Sequence, residues 1–257
     1  MPFIDGYRHP FYYRSWRADH PRARVLLLHG FGENTGHYHR LAHALNAGGY
    51  DVFGPDHVGH GHTGGTPRGY FPSVAELAEN AAILVDHIET DEPTLPVAIV
   101  GHSLGALAGA MLAISEPGKW TCLAMTGAPL WGLPAAAAGR TDLVMSRDEA
   151  YLDALANDPL GFDTGPAESN LWSAIGLAGS RIRCSLPALG LPVLLVNGEH
   201  DAFAPAPQAV DFAAELMSGR AVTIAGGYHD IPNDRAHAEV GRIIIDALDQ
   251  SLHSVLA

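Results

Sequence analysis

The chain has 257 residues, of which 47% are hydrophobic, 17% charged and 8% aromatic, a composition that excludes a disordered, collagen-like or fibrous protein. Fifteen Lys and Arg stand against 28 Asp and Glu, a formal net charge of −13, so a phosphate backbone would be repelled and no nucleic-acid partner is expected. No apolar run reaches the roughly 20 residues of a membrane-spanning helix. The start Met1-Pro2-Phe3-Ile4-Asp5 lacks a basic region followed by an apolar stretch, so a cytoplasmic protein without a transmembrane segment is expected. Cys122 and Cys184 have no metal-ligand spacing and read as buried free thiols.

Along the chain, short β-rich runs alternate with longer stretches of 3.6-residue apolar spacing, which predicts an α/β fold with a mostly parallel sheet and crossover helices. Strands are predicted at 12–16, 25–28, 51–54, 97–100, 122–126, 193–197 and 221–224, several of them continuous apolar runs suited to burial on both faces. Helices are predicted at 37–47, 74–89, 104–115, 207–217 and 236–248. The alternation stops between Gly132 and Pro187, where glycine, proline and alanine punctuate short helical patterns. The domain expectation is therefore a core of 1–131 and 188–257 with a cap insertion at 132–187, lying over the carboxyl ends of the strands. Within the insertion, Ser146-Arg147-Asp148-Glu149 has the form of a capping box, and a second helix carries Leu171, Trp172 and Ile175.

Gly101-His102-Ser103-Leu104-Gly105 sits between the apolar strand at 97–100 and the small-residue helix at 104–115. A strand that turns directly into a helix lifts the serine hydroxyl out of the sheet, and the flanking glycines remove side chains that would clash there. This context makes Ser103 the candidate nucleophile, with the N–H of Leu104 at the positive end of the helix as an oxyanion donor. His29-Gly30-Phe31-Gly32 follows the strand at 25–28 and offers the N–H of Phe31 as the second donor. A serine hydroxyl needs an imidazole to take its proton, and the imidazole needs a carboxylate to hold its tautomer. Asp201, after the strand at 193–197, and His229, after the strand at 221–224, are the candidates; Glu199 is the competing acid, and Asp230 is too near His229 in sequence. Asp56-His57-Val58-Gly59-His60-Gly61-His62 contains zinc-type ligands, but no second ligand pair accompanies it, and it reads as a glycine loop supporting the oxyanion turn. No metal and no cofactor are expected. Trp131 and Trp172 are candidates for lining a substrate pocket.

These stretches, with Gly32-Glu33-Asn34-Thr35-Gly36-His37-Tyr38 and Gly227-Tyr228-His229, resemble the serine α/β-hydrolases, and within them the monoacylglycerol lipase and lysophospholipase-like branch. The resemblance implies Ser103 as nucleophile, Asp201 as acid, His229 as base and Phe31 and Leu104 as oxyanion donors. Two positions depart from the family pattern: Asn34 stands where histidine is usual, and Thr63 where serine is usual. The stretch 133–139 is alanine-rich, so a membrane-docking cap is not expected. The expected activity is that of a serine carboxylic ester hydrolase acting through an acyl-enzyme on small to medium acyl esters, monoacylglycerols among the candidates. The alternatives are the same triad acting on a lactone, thioester, amide or peroxide, or a hydrolase-like protein that binds a ligand without turnover. Oligomeric state is not legible.

Overall fold

A computed structural model describes residues 2–91 and 95–256; Met1, with which the N-terminal reading begins, lies outside them. Eight strands form one sheet: β1 (Phe3–Ile4), β2 (Phe11–Trp16), β3 (Ala23–Leu28), β4 (Tyr50–Pro55), β5 (Val97–His102), β6 (Trp120–Thr126), β7 (Val193–Gly198) and β8 (Gly219–Ile224). Their spatial order is β1-β2-β4-β3-β5-β6-β7-β8. β2 runs antiparallel to both β1 and β4, and every other pairing is parallel.

The parallel strands are covered on both faces, as their unbroken apolar runs require. Alternate residues of each strand enter opposite cores. Leu26, Leu28, Ile99, Leu123, Met125 and Leu195 join the core beneath α2 (Val74–Asp91), α3 (Leu104–Ser115) and α6 (Ala206–Glu215). Val25, Leu27, Val100, Ala124, Leu194 and Val196 face α1 (His39–Ala47) and α7 (His237–Leu256). α3 is buried on all sides from Leu104 to Ala113, which explains why its sequence is apolar throughout and not amphipathic.

Between β6 and β7 no strand forms among the described residues; α4 (Glu149–Ala156) and α5 (Glu168–Ser185) lie in the segment expected to be the insertion. Leu171, Ala174, Ile175, Ala178 and Ile182 of α5 belong to the same buried cluster as α3, whereas α4 buries only Tyr151.

Several local expectations need correction. The predicted helix at 37–47 is split: a 3-10 turn over Thr35–Tyr38, capped by Asn34, precedes α1. The N-cap of α4 is Asp148, whose Oδ1 accepts from Tyr151 N at 2.8 Å, and not Ser146. Ser146 is drawn off by a tertiary partner, donating to Asp234 Oδ1 at 2.9 Å. Cys122 is buried as expected, but Cys184 is exposed because it falls on the outer face of α5.

Candidate active site

β5 ends at His102 and α3 begins at Leu104, so Ser103 alone makes the turn, with φ 48° and ψ −113°. It is the one non-glycine residue with positive φ among those described. The packing enforces this strain: a β-carbon on Gly101 would lie 2.5 Å from the Gly105 carbonyl oxygen, and one on Gly105 would run into the Leu28 carbonyl. Strand and helix therefore cross closely, and the Ser103 side chain is pushed clear of the sheet.

His229 Nε2 lies 2.9 Å from Ser103 Oγ, and its Nδ1 lies 2.9 and 3.0 Å from the two carboxylate oxygens of Asp201. Asp201 is in turn held by the N–H groups of Phe203 and Ala204, which both donate to its Oδ1. With Nδ1–H committed to the carboxylate, Nε2 is left to accept from the serine hydroxyl. Burial pulls the His229 pKa down, but the Asp201 charge and hydrogen bond, with Asp230 and Glu33 farther off, outweigh it and push it up to about 9. Glu199 does not meet the imidazole; its Oε2 accepts from Gly226 N.

Ser103 opens a cavity of about 400 Å³, within the usual range for small-molecule sites. Gly30, Phe31 and Gly32 line it, and the N–H of Leu104 is one of the first-turn groups that α3 leaves without an intrahelical acceptor. The loop is braced from behind by the Asp56–His62 run: His57 N donates to His29 Nε2, His57 Nε2 lies 3.1 Å from His29 O, and His60 packs edge-on to Phe31. Burial holds the imidazoles of His29, His57 and His60 below their ordinary pKa, the last at about 4, so they are neutral packing groups. Asn34, one of the two departures, donates to Asp158 Oδ2 of the insertion.

Of the two candidate pocket tryptophans, Trp172 lines the cavity, stacked on Phe203, which packs edge-on to His229. Trp131 does not. It is 40% exposed, lies edge-on to Phe212 and carries the Arg183 guanidinium over its ring, so its contacts are outside the cavity.

The sequence reading missed a buried polar cluster in the same wall. Glu33 Oε2 accepts from Gly30 N and the Tyr38 hydroxyl, and its Oε1 lies 2.6 Å from the Tyr151 hydroxyl. Tyr151 also stands 3.1 Å from Asp230 Oδ2, while Asp230 Oδ1 is 3.4 Å from His102 Nε2. One hydroxyl donates once, and the shorter contact assigns its hydrogen to Glu33. Glu33 thus collects three donors; burial alone would raise its pKa, but the nearby imidazoles and tyrosine hydroxyls bring it below the usual carboxylate value. Asp230, buried beside that charge, is raised by burial. His102, His229 and Asp230 also present nitrogen and oxygen atoms within 4.8 Å of one another, the one set of three such ligands among the described residues. The only signal for this cluster in the sequence was polar residues adjacent to the motifs.

Residues 19–236 match the profile of the serine aminopeptidase S33 family. The chain belongs to that family. This S33 chain is 30% identical over 213 residues to the monoglyceride lipase of Mus musculus, covering 73% of itself and 68% of the relative. It is 29% identical over 212 residues to a monoacylglycerol lipase of Mycolicibacterium smegmatis, 75% of each chain. Among solved structures, the monoacylglycerol lipase of Paleococcus ferrophilus superposes with a TM-score of 0.78 at 25% identity, covering 94% of this chain and 99% of that one. The architecture is the α/β-hydrolase fold. Among the described residues no helix is long and apolar enough to cross a membrane.

Proposed function

We propose that Ser103, His229 and Asp201 are the catalytic triad of a carboxylic ester hydrolase that works through an acyl-enzyme. The enzyme class rests on the relatives, which are named monoacylglycerol and monoglyceride lipases. The observation that carries the residue roles is the continuous line from Ser103 Oγ through the His229 imidazole to the Asp201 carboxylate, each contact at 2.9 Å. His229 takes the serine proton as Oγ attacks the ester carbonyl, and then gives it to the departing alcohol. The N–H groups of Phe31 and Leu104 hold the oxyanion, each such donor contributing about 3 kcal/mol to the transition state. Water then attacks the acyl-enzyme by the same steps in reverse.

The cavity lining supports an acyl ester with a polar alcohol. Leu155, Leu171, Trp172, Ile175 and Phe203 suit the acyl chain, and Glu33, Tyr151 and Asp230 suit hydroxyl groups of the leaving alcohol. Monoacylglycerols of medium chain length combine both features. Residues 132–187 act as the cap that closes this cavity, contributing Met145, Tyr151, Leu171 and Trp172 to its lining. In Ser103→Ala, turnover of a chromogenic short-chain ester falls by roughly 10⁴-fold or more. Activity undiminished in that variant would remove the assignment.

A further inference from the structure

His229 stands between the end of β8 at Ile224 and the start of α7 at His237, in a stretch with neither helix nor strand. On the near side this loop is tied to the loop bearing Asp201: Gly226 N donates to Glu199 Oε2, and His200 N donates to Gly227 O, both at 2.8 Å. Beyond Gly227, besides the His229 contact with Asp201 and the 3.4 Å approach of Asp230 Oδ1 to His102 Nε2, its anchors come from a different part of the chain. Asp230 N donates to Met145 O at 2.8 Å, and Arg147 Nε donates to the Tyr228 hydroxyl at 2.8 Å. The Asp234 carboxylate joins the two segments, since its Oδ1 accepts from Ser146 Oγ and Arg147 N, and its Oδ2 accepts from Tyr228 N, next to the base. Asp234 is 2% exposed, and its neighbours are all donors, which is why an acid and not an amide fits there. Burial alone would raise its carboxyl; those N–H and O–H bonds bring it below the usual range.

We propose that Asp234 is a positioning residue for the base: it clamps the His229 loop to residues 145–147 of the insertion, so that the insertion, and not the sheet alone, aligns the imidazole with Ser103. This rests on the reading of His229 as the base. Sheet and insertion then share the alignment of the triad, one through the Asp201 loop and the other through Asp234. A base displaced by about 1 Å loses on the order of 10²-fold in rate, so the clamp acts on the chemical step and not on substrate binding.

The test uses the full chain with Asp234→Asn, in which an amide N–H₂ replaces one oxygen and faces a donor. Active sites are titrated with a fluorophosphonate, and kcat is expressed per titrated site. The expected result is a fall in kcat per site of about 10- to 100-fold, KM within about threefold, and a matching fall in the fluorophosphonate labelling rate. Ser146→Ala, which removes one donor, gives a smaller fall, and the double variant is no worse than Asp234→Asn because both changes act on one network. A loss of titratable sites with kcat per site unchanged would mean that Asp234 only supports the fold, and would overturn the proposal. If Asp234→Asn yields no folded protein, an unchanged kcat per site in Ser146→Ala overturns it equally. Ser103→Ala separates the two readings. Turnover surviving there removes the triad, whereas an inactive Ser103→Ala with unaltered Asp234→Asn removes only the clamp.

Discussion

At the scale of single residues, the proposed chemistry turns on how one imidazole, that of His229, is charged. The Asp201 carboxylate lies against His229 Nδ1 and receives two backbone N–H bonds of its own, so its charge is fixed in position while His229 gains and loses its proton. Because a general base must be neutral to accept a proton, a pKa pushed up to about 9 predicts that kcat/KM climbs with pH through an acidic limb centred above the ordinary 6.5 of histidine. Asp201→Asn removes the charge, moves that limb down and lowers kcat by roughly 10⁴-fold through the wrong tautomer. A pH–rate profile with its acidic midpoint at or below 6.5 in the unaltered enzyme would contradict the electrostatic account.

At the scale of elements, α5 serves the core and the cavity together. Leu171, Ala174, Ile175, Ala178 and Ile182 bury against the core, and Leu171 and Ile175 also line the cavity with Trp172, which stacks on Phe203. Trp131 belongs to the turn after β6 and is occupied by Phe212 and Arg183. An aromatic side chain that meets the acyl chain contributes on the order of 1.5–3 kcal/mol of apolar burial, so Trp172→Ala raises KM roughly tenfold or more for longer acyl esters. Short esters, which do not reach the ring, are affected less, and Trp131→Ala leaves the series within about twofold. A chain-length series of alkyl esters and monoacylglycerols checks both; equal effects of the two substitutions would mean that the cavity is not the acyl site.

At the scale of the whole molecule, buried histidines set the pH range of stability. His29, His57 and His60 titrate lower when folded than when unfolded, so between their unfolded value near 6.5 and their folded values the unfolded chain binds more protons. Stability present above pH 6.5 is therefore lost as pH falls, at about 1.4 kcal/mol per pH unit for each group. His229 acts oppositely: its folded pKa is raised, so its contribution is complete below 6.5 and fades as pH rises through 9. Urea midpoints measured from pH 5 to pH 9.5 should pass through a maximum between these flanks. A midpoint unchanged from pH 7.5 down to 5 would show that the imidazole cluster does not govern the acid side.

The sequence by itself determined the alternating elements, the strained serine turn and the chain order Ser103, Asp201, His229. Those features are written in local signals: apolar periods of 2 and 3.6, glycines where backbones approach, and a strand leading straight into a helix. It favoured Asp201 over Glu199 as the acid, but both lie on one loop, and it is the direction of each side chain that brings Asp201 to the imidazole and leaves Glu199 on Gly226 N. It read Ser146 as the helix cap because the local pattern fits, while the folded chain gives that hydroxyl to Asp234, 88 positions away. The Glu33 to Tyr151 contact spans 118 positions and left no trace in either segment. Partners so far apart are selected by which loops the sheet carries to the same edge and by the cost of leaving a buried polar group unpaired. That choice exists only once the tertiary structure has formed.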